Sequence, residues 1–210
     1  MPFSEKQLSE LKEKVKLRMS EKRFSHTLGV ERCAKKLAEL ILPERASELR
    51  AAALLHDVSK EMPLELQFNL LSENTFIMTD EDRETVGVIH SFSAPYVIKR
   101  DFPDFATEDI LSAVFNHTLA CRDMSVFDKI IFVSDYAEDT RIYSSCIKVR
   151  EFLFGGIEEL NAEERLKRLD DAFSASINGV LEALTRMGQP INSRIYEAKN
   201  YLLMNNLQNL

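Results

Sequence analysis

The apolar residues of this chain recur at the spacing of helices, and no stretch alternates apolar and polar residues long enough to read as a strand. Ser4 is placed to cap a helix running to about Met19, and Ser20 a second running through Leu42, which Pro43 halts. An apolar segment, ASELRAAALLHDVSK from Ala46, precedes another helix after Pro63. Residues 72–89 mix polar and apolar positions without a clear period and read as a loop with short helical pieces. Helical patterns resume over 90–101, over 107–119 behind Thr107 and over 125–138 behind Ser125. Asn161 opens a long helix to Arg186 that Gly188 ends, and a last helix starts near Ser193. The pattern predicts an all-α fold without internal repeats or an interdomain linker.

Certain polar side chains fall on the apolar faces. On the second helix His26 shares a stripe with Val30, Cys33, Leu37 and Ile41, while Glu31, Lys35 and Glu39 are expected to face away. His117 shares a face with Ile110, Ala113 and Val114, and Asp135 one with Asp128, Ile131 and Phe132. A carboxylate so placed is costly unless it is neutralised, paired or bound to a metal. The chain's four histidines, His26, His56, His90 and His117, all lie in or beside helical segments, and Asp57 directly follows His56. Imidazole and carboxylate are donors to borderline and hard transition metals, and this series suffices for two adjacent ions. Taken singly, each has a plainer reading: an inward histidine as a hydrogen-bonded core residue, Asp135 as a partner of Lys129 or Arg141, and Lys60 as a solvated helix-end charge. The ordered combination favours a two-metal hydrolase.

Composition narrows the partners. At 210 residues with 45% hydrophobic content, the chain is long enough for one substantial core. A net charge of -7 argues against a general nucleic-acid binder but not against a small phosphate ester held by metals and a few cations. Three cysteines without a C-x-x-C spacing suggest neither a disulfide framework nor a zinc knuckle. The charged N-terminal stretch MPFSEKQLSELKEK has no signal-peptide character, and no segment approaches the ~20 apolar residues of a membrane span. A cytoplasmic protein without a membrane partner is expected.

The series His26, His56-Asp57 and Asp135 resembles the HD-domain superfamily of metal-dependent phosphohydrolases. More closely, the chain is similar to the YqeK-type HD family of symmetrical dinucleoside tetraphosphate hydrolases. The segments that carry this likeness are KRFSHTLGVERCAKKLA from Lys22, AALLHDVSKE from Ala52, His90, and NHTLACRDMSVFDKIIFVSDYAEDTR from Asn116 to Arg141. The tail LDDAFSASINGVLEALTRMGQPINSRIYEAKNYL is similar as well. The chain departs from the family pattern in HSFSAP after the third histidine, in Asn192-Ser193, and in Ala120-Cys121, where relatives carry Gly-Arg and Arg122 here stands one position later.

The resemblance implies a single HD-domain helical bundle over 1–210, with the motifs within about 20–141, C-terminal helices over about 146–208 packed on them, and a metal site in the core. It implies His26, His56, Asp57 and Asp135 as ligands of one metal, His90 and His117 as ligands of a second, and Asp57 as the bridge. Two divalent or mixed-valence ions are expected, iron in the first place, with manganese, cobalt or nickel accepted by the same donors. Two cations can lower the pKa of a shared water from about 15.7 toward neutrality, making a metal-bridging hydroxide the expected nucleophile. Lys60 and Arg141 are the candidates for neutralising phosphoanhydride oxygens, with Arg122 a further substrate contact. Diadenosine tetraphosphate would then yield two ADP molecules. Another HD-type nucleotide hydrolase or phosphodiesterase and a non-catalytic nucleotide sensor are the rival readings, and a homodimer is left open.

Overall fold

In the computed structural model, which describes residues 2–208 apart from the side chains of 205–208, the helices signalled by caps at Ser4, Ser20, Thr107, Ser125 and Asn161 begin there. Ser4 opens α1 (Glu5–Lys16) with a reciprocal bond to Gln7, and Ser20 caps α2 (Glu21–Ile41). A 3-10 turn starting at Pro43 leads into α3 (Ala46–Leu55), and α4 (Leu64–Glu73) follows Pro63. The stretch without a clear period contains α5 (Asp80–Glu84), whose five residues are too few to show one. Thr79 gives that helix its own capping box. Then come α6 (Ile89–Asp101), α7 (Glu108–Asn116) behind Thr107 and α8 (Val126–Ala137) behind Ser125. α9 (Ser144–Phe154), α10 (Ala162–Arg186) behind Asn161 and α11 (Ser193–Gln208) complete the order. No strand occurs among the described residues, so the all-α expectation holds.

α2, α3, α7 and α8 pack side by side, α6 lies against α7, and α10 lies across α8 and α9. Apolar faces fuse into one core in which Leu37, Leu54, Phe92, Ile130 and Phe173 are almost wholly buried. The Phe132 and Phe173 rings meet edge to face at 5.1 Å and join α8 to α10. Burial of each such side chain favours the fold by roughly 1.5–3 kcal/mol.

Several details differ from the sequence expectation: α1 ends at Lys16 rather than near Met19, and α9 stands where no separate helix was expected. Lys35 and Glu39 are exposed, but Glu31 is buried. Its carboxylate lies 2.7 Å from Lys12 and 3.0 Å from Arg50, because α1 and α3 cover that part of α2 and bring cations with them. The helix expected to run to 119 ends at Asn116, leaving His117 as its C-cap. No helix among the described residues is long and apolar enough to cross a membrane.

Candidate metal centre

All six expected donors converge. His26 projects from the second turn of α2 and His90 from the start of α6, while Asp135 lies in the last turn of α8. His56 and His117 are the C-cap residues of α3 and α7, and Asp57 follows His56 in the turn. His26 Nε2 is 2.9 Å from Asp135 Oδ1, and His56 Nε2 is 3.9 Å from the same oxygen. His90 Nε2 is 3.1 Å from His117 Nε2 and 3.2 Å from Asp57 Oδ1, which is 3.7 Å from His117 Nε2. The other oxygen, Asp57 Oδ2, faces His56 Nε2 at 3.4 Å and His26 Nε2 at 3.8 Å. Asp57 therefore turns one oxygen toward each pair of histidines.

Local structure fixes the rings. At a helix end the last carbonyls lack intrahelical partners. His56 Nδ1 uses one, the Ala53 carbonyl at 2.7 Å, and His117 Nδ1 uses the Val114 carbonyl at 2.6 Å. In both rings the carbonyl requires an Nδ1–H donor, so Nε2 is aimed at the cluster. His26 Nδ1 lies 3.1 Å from Glu138 Oε1, a carboxylate that also accepts from the Thr140 amide and hydroxyl, both at 2.6 Å. Glu138 approaches α2 over Gly29, where a Cβ would overlap its Oε2.

The electrostatics are those of three carboxylates, Asp57, Asp135 and Glu138, packed among the cations Arg23, Lys60 and Arg141. Burial opposes a charged His26 ring, but the Asp135 and Glu138 carboxylates outweigh it and raise the ring to about 9. Burial drives His90 down to about 4, with the Lys60 ammonium acting in the same sense, so this ring is neutral at pH 7. Burial also opposes charge on Asp57 and Asp135. His56 and its neighbours hold Asp57 well below the usual carboxylate range, and Arg141 with His26 does so for Asp135.

Three cations lean on the donors. Arg141 donates to Asp135 Oδ1 at 2.7 Å, Lys60 Nζ lies 3.1 Å from His90 Nδ1, and Arg23 donates to Asp57 Oδ2 at 2.8 Å. Of the alternative Asp135 partners, Arg141 is the one used; Lys129 instead bonds Asp170. Arg122 makes no hydrogen bond or ion pair with the six donors among the described residues, and its guanidinium lies over the Tyr201 ring at 5.7 Å. Sequence reasoning missed Arg23 and Glu138. Each stands one helical turn from a donor, three residues before His26 and three after Asp135, and that spacing was the available signal.

The donors fit divalent metal ions. His26 Nε2 and His56 Nε2 are buried without a hydrogen-bond partner; Asp135 Oδ1, close as it is to His26, is not aligned to form one. Two donors ~2.1 Å from a common ion at right angles stand about 3 Å apart, as His26 Nε2 and Asp135 Oδ1 do. His26, His56 and Asp135 form one compact triad, and Asp57, His90 and His117 another.

Helices that direct histidines and aspartates from five segments into one partly buried cluster define an all-α metal-binding protein. The HD domain family profile matches residues 23–139, more than half the chain, and the chain belongs to the HD-domain family. It is 28% identical over 196 residues to the symmetrical bis(5'-nucleosyl)-tetraphosphatase of Halalkalibacterium halodurans, covering 90% of this chain and 94% of the relative. To the protein of the same description in Bacillus subtilis it is 27% identical over 191 residues, with equal coverage. A crystal structure from Clostridium acetobutylicum, described as a predicted HD superfamily hydrolase involved in NAD metabolism, superposes with a TM-score of 0.79 at 25% identity, covering 98% of this chain and 100% of the other.

Proposed function

We propose that this chain is a metal-dependent phosphohydrolase that cleaves dinucleoside tetraphosphates symmetrically into two nucleoside diphosphates, ADP in the case of diadenosine tetraphosphate. The observation that carries the reading is Asp57, whose two oxygens face two separate pairs of histidines. His26, His56 and Asp135 would hold one ion, His90 and His117 the other, and Asp57 both. When bound, divalent cations at these donors, iron first and manganese, cobalt or nickel as alternatives, acidify water and neutralise charge on anhydride oxygens. The chain's own residues orient and screen. Nδ1 contacts hold His26, His56 and His117 in place, while Lys60 and Arg141, with Arg23 beside them, meet the charge of the polyphosphate. No side-chain nucleophile is required. The substrate class is supported by the two relatives named above, which align along nearly their whole lengths. We read residues 1–210 as one domain.

The test pairs elemental analysis with chromatography of products. About two equivalents of transition metal per chain and ADP alone from diadenosine tetraphosphate are expected. Full activity with no more than one equivalent after reconstitution removes the dinuclear reading, and AMP plus ATP as primary products removes the symmetry. Asp57→Ala should lose more metal than His90→Ala. Lys60→Ala and Arg141→Ala should keep both metals and lose turnover, and Arg122→Ala tests whether that outlying cation touches substrate at all.

A further inference from the structure

A cavity of about 390 Å³ opens onto the donor cluster, with His117, Asp135 and Arg141 in its wall. Its remaining surface comes from the end of α8, the turn into α9 and the last turns of α10. That surface is largely aromatic and aliphatic, with Tyr136, Tyr143, Leu184 and Met187 among its residues. Tyr143 is 63% exposed and Met187 59% exposed, so the apolar rim faces water. A site that held only polyphosphate would have no use for such a wall, because phosphate oxygens are bound by cations and N–H donors.

The ring of Tyr136 stands in the cavity wall with its hydroxyl turned into the protein. The Tyr136 hydroxyl is buried and has no hydrogen-bond partner. It lies against Gly179 of α10, where a Cβ would overlap the hydroxyl oxygen, so the phenol is accommodated only because α10 has no side chain there. The volume lies within the roughly 300–1,000 Å³ of small-molecule sites, and an apolar wall with few polar groups is their usual lining.

We infer that this cleft binds the nucleoside half of a nucleotide, with the base against Tyr143, Leu184 and Met187 and the phosphates directed to Arg141 at the edge of the donor cluster. The inference rests on the phosphohydrolase reading for its phosphate end and on the cavity alone for its nucleoside end.

Calorimetric titration of metal-loaded protein with ADP and, separately, with pyrophosphate isolates the nucleoside contribution. ADP should bind about tenfold more tightly or better, and Tyr143→Ala should remove about tenfold of ADP affinity while leaving pyrophosphate unchanged. Met187→Ala, which trims an exposed side chain of the rim, should weaken ADP a few-fold and leave pyrophosphate alone. Equal affinity for the two ligands, or variants that weaken both alike, would overturn the assignment. Diadenosine tetraphosphate cleaved by protein whose ADP binding ignores both variants removes the cleft and keeps the hydrolase. Selective ADP binding that both variants weaken, in metal-loaded protein that leaves diadenosine tetraphosphate uncut, removes the hydrolase and keeps the cleft.

Discussion

Glu138 holds His26 by its Nδ1 edge while Asp135 waits at Nε2, so the ring's direction depends on a residue outside the donor set. Glu138→Ala should lower metal affinity by about 10- to 100-fold with the helical circular dichroism unchanged, and Glu138→Gln, which keeps an acceptor, should fall between it and the parent. Gly29→Ala should resemble Glu138→Ala, because its methyl group would displace the same carboxylate. Metal content measured against free metal decides this, and unchanged affinity in Glu138→Ala would refute the role. The donors themselves were legible in the sequence because the chain has only four histidines and each stands on or beside an apolar helical face. Glu138 was not, since Glu-Asp-Thr-Arg after a helix reads as a solvated turn. It is buried because α2 offers Gly29 in front of it, a long-range fact that its spacing from Asp135 alone does not reveal.

The starts of α1, α2, α7, α8 and α10 were readable from their caps, and helix ends less so. The turn between α7 and α8 holds Ala120 at φ 59°, a left-handed conformation that costs a residue with a Cβ roughly 1 kcal/mol. This is the position where the sequence departs from the glycine expected of its relatives. Ala120→Gly should therefore stabilise the protein, by up to about 1 kcal/mol, in urea unfolding, and a lower midpoint would show that the buried methyl group contributes more than the strain removes. At the end of α6, Asp101 is bonded by Arg100 at 2.8 Å and by Arg18, just past α1, at 2.7 Å. The Arg100 bond, followed by that from Arg18, holds the carboxyl down from 3.8 to about 2. A lowered carboxylate pKa supplies stability above the unfolded value and loses it as pH falls through the folded one. Asp101→Asn should cost less than about 1 kcal/mol at pH 7, given the exposed partners, and the difference from the parent should shrink between about pH 4 and 2. A gap that stays constant over that range would assign it to packing.

At the scale of the molecule, donors from five segments meet at one point, so cations bound there would cross-link most of the bundle. Arg23, Lys60 and Arg141 already balance part of the negative charge, so chelation should weaken the fold rather than abolish it. Metal at a hundredfold excess over its dissociation constant adds about 2.7 kcal/mol for each ion bound, equivalent to roughly 5–10 °C in Tm per ion for a chain of this size. Superimposable melts of apo and loaded protein, with binding confirmed independently, would place the ions outside the load-carrying contacts. Most helices were legible because a cap and an apolar period announce them locally, whereas α9, which has no side-chain cap, was not; nor was the mutual placement of the helices, on which the cleft between α8 and α10 depends. That placement also sets an order in time. His26 and Glu138 stand 112 positions apart, and the pair forms only after a long loop has closed. Helices form within microseconds, whereas such closure awaits the docking of α8 on α2. During refolding the far-UV signal should return before high-affinity metal uptake, and uptake that kept pace with the first helical signal would mean that the ions gather the chain instead of being received by it.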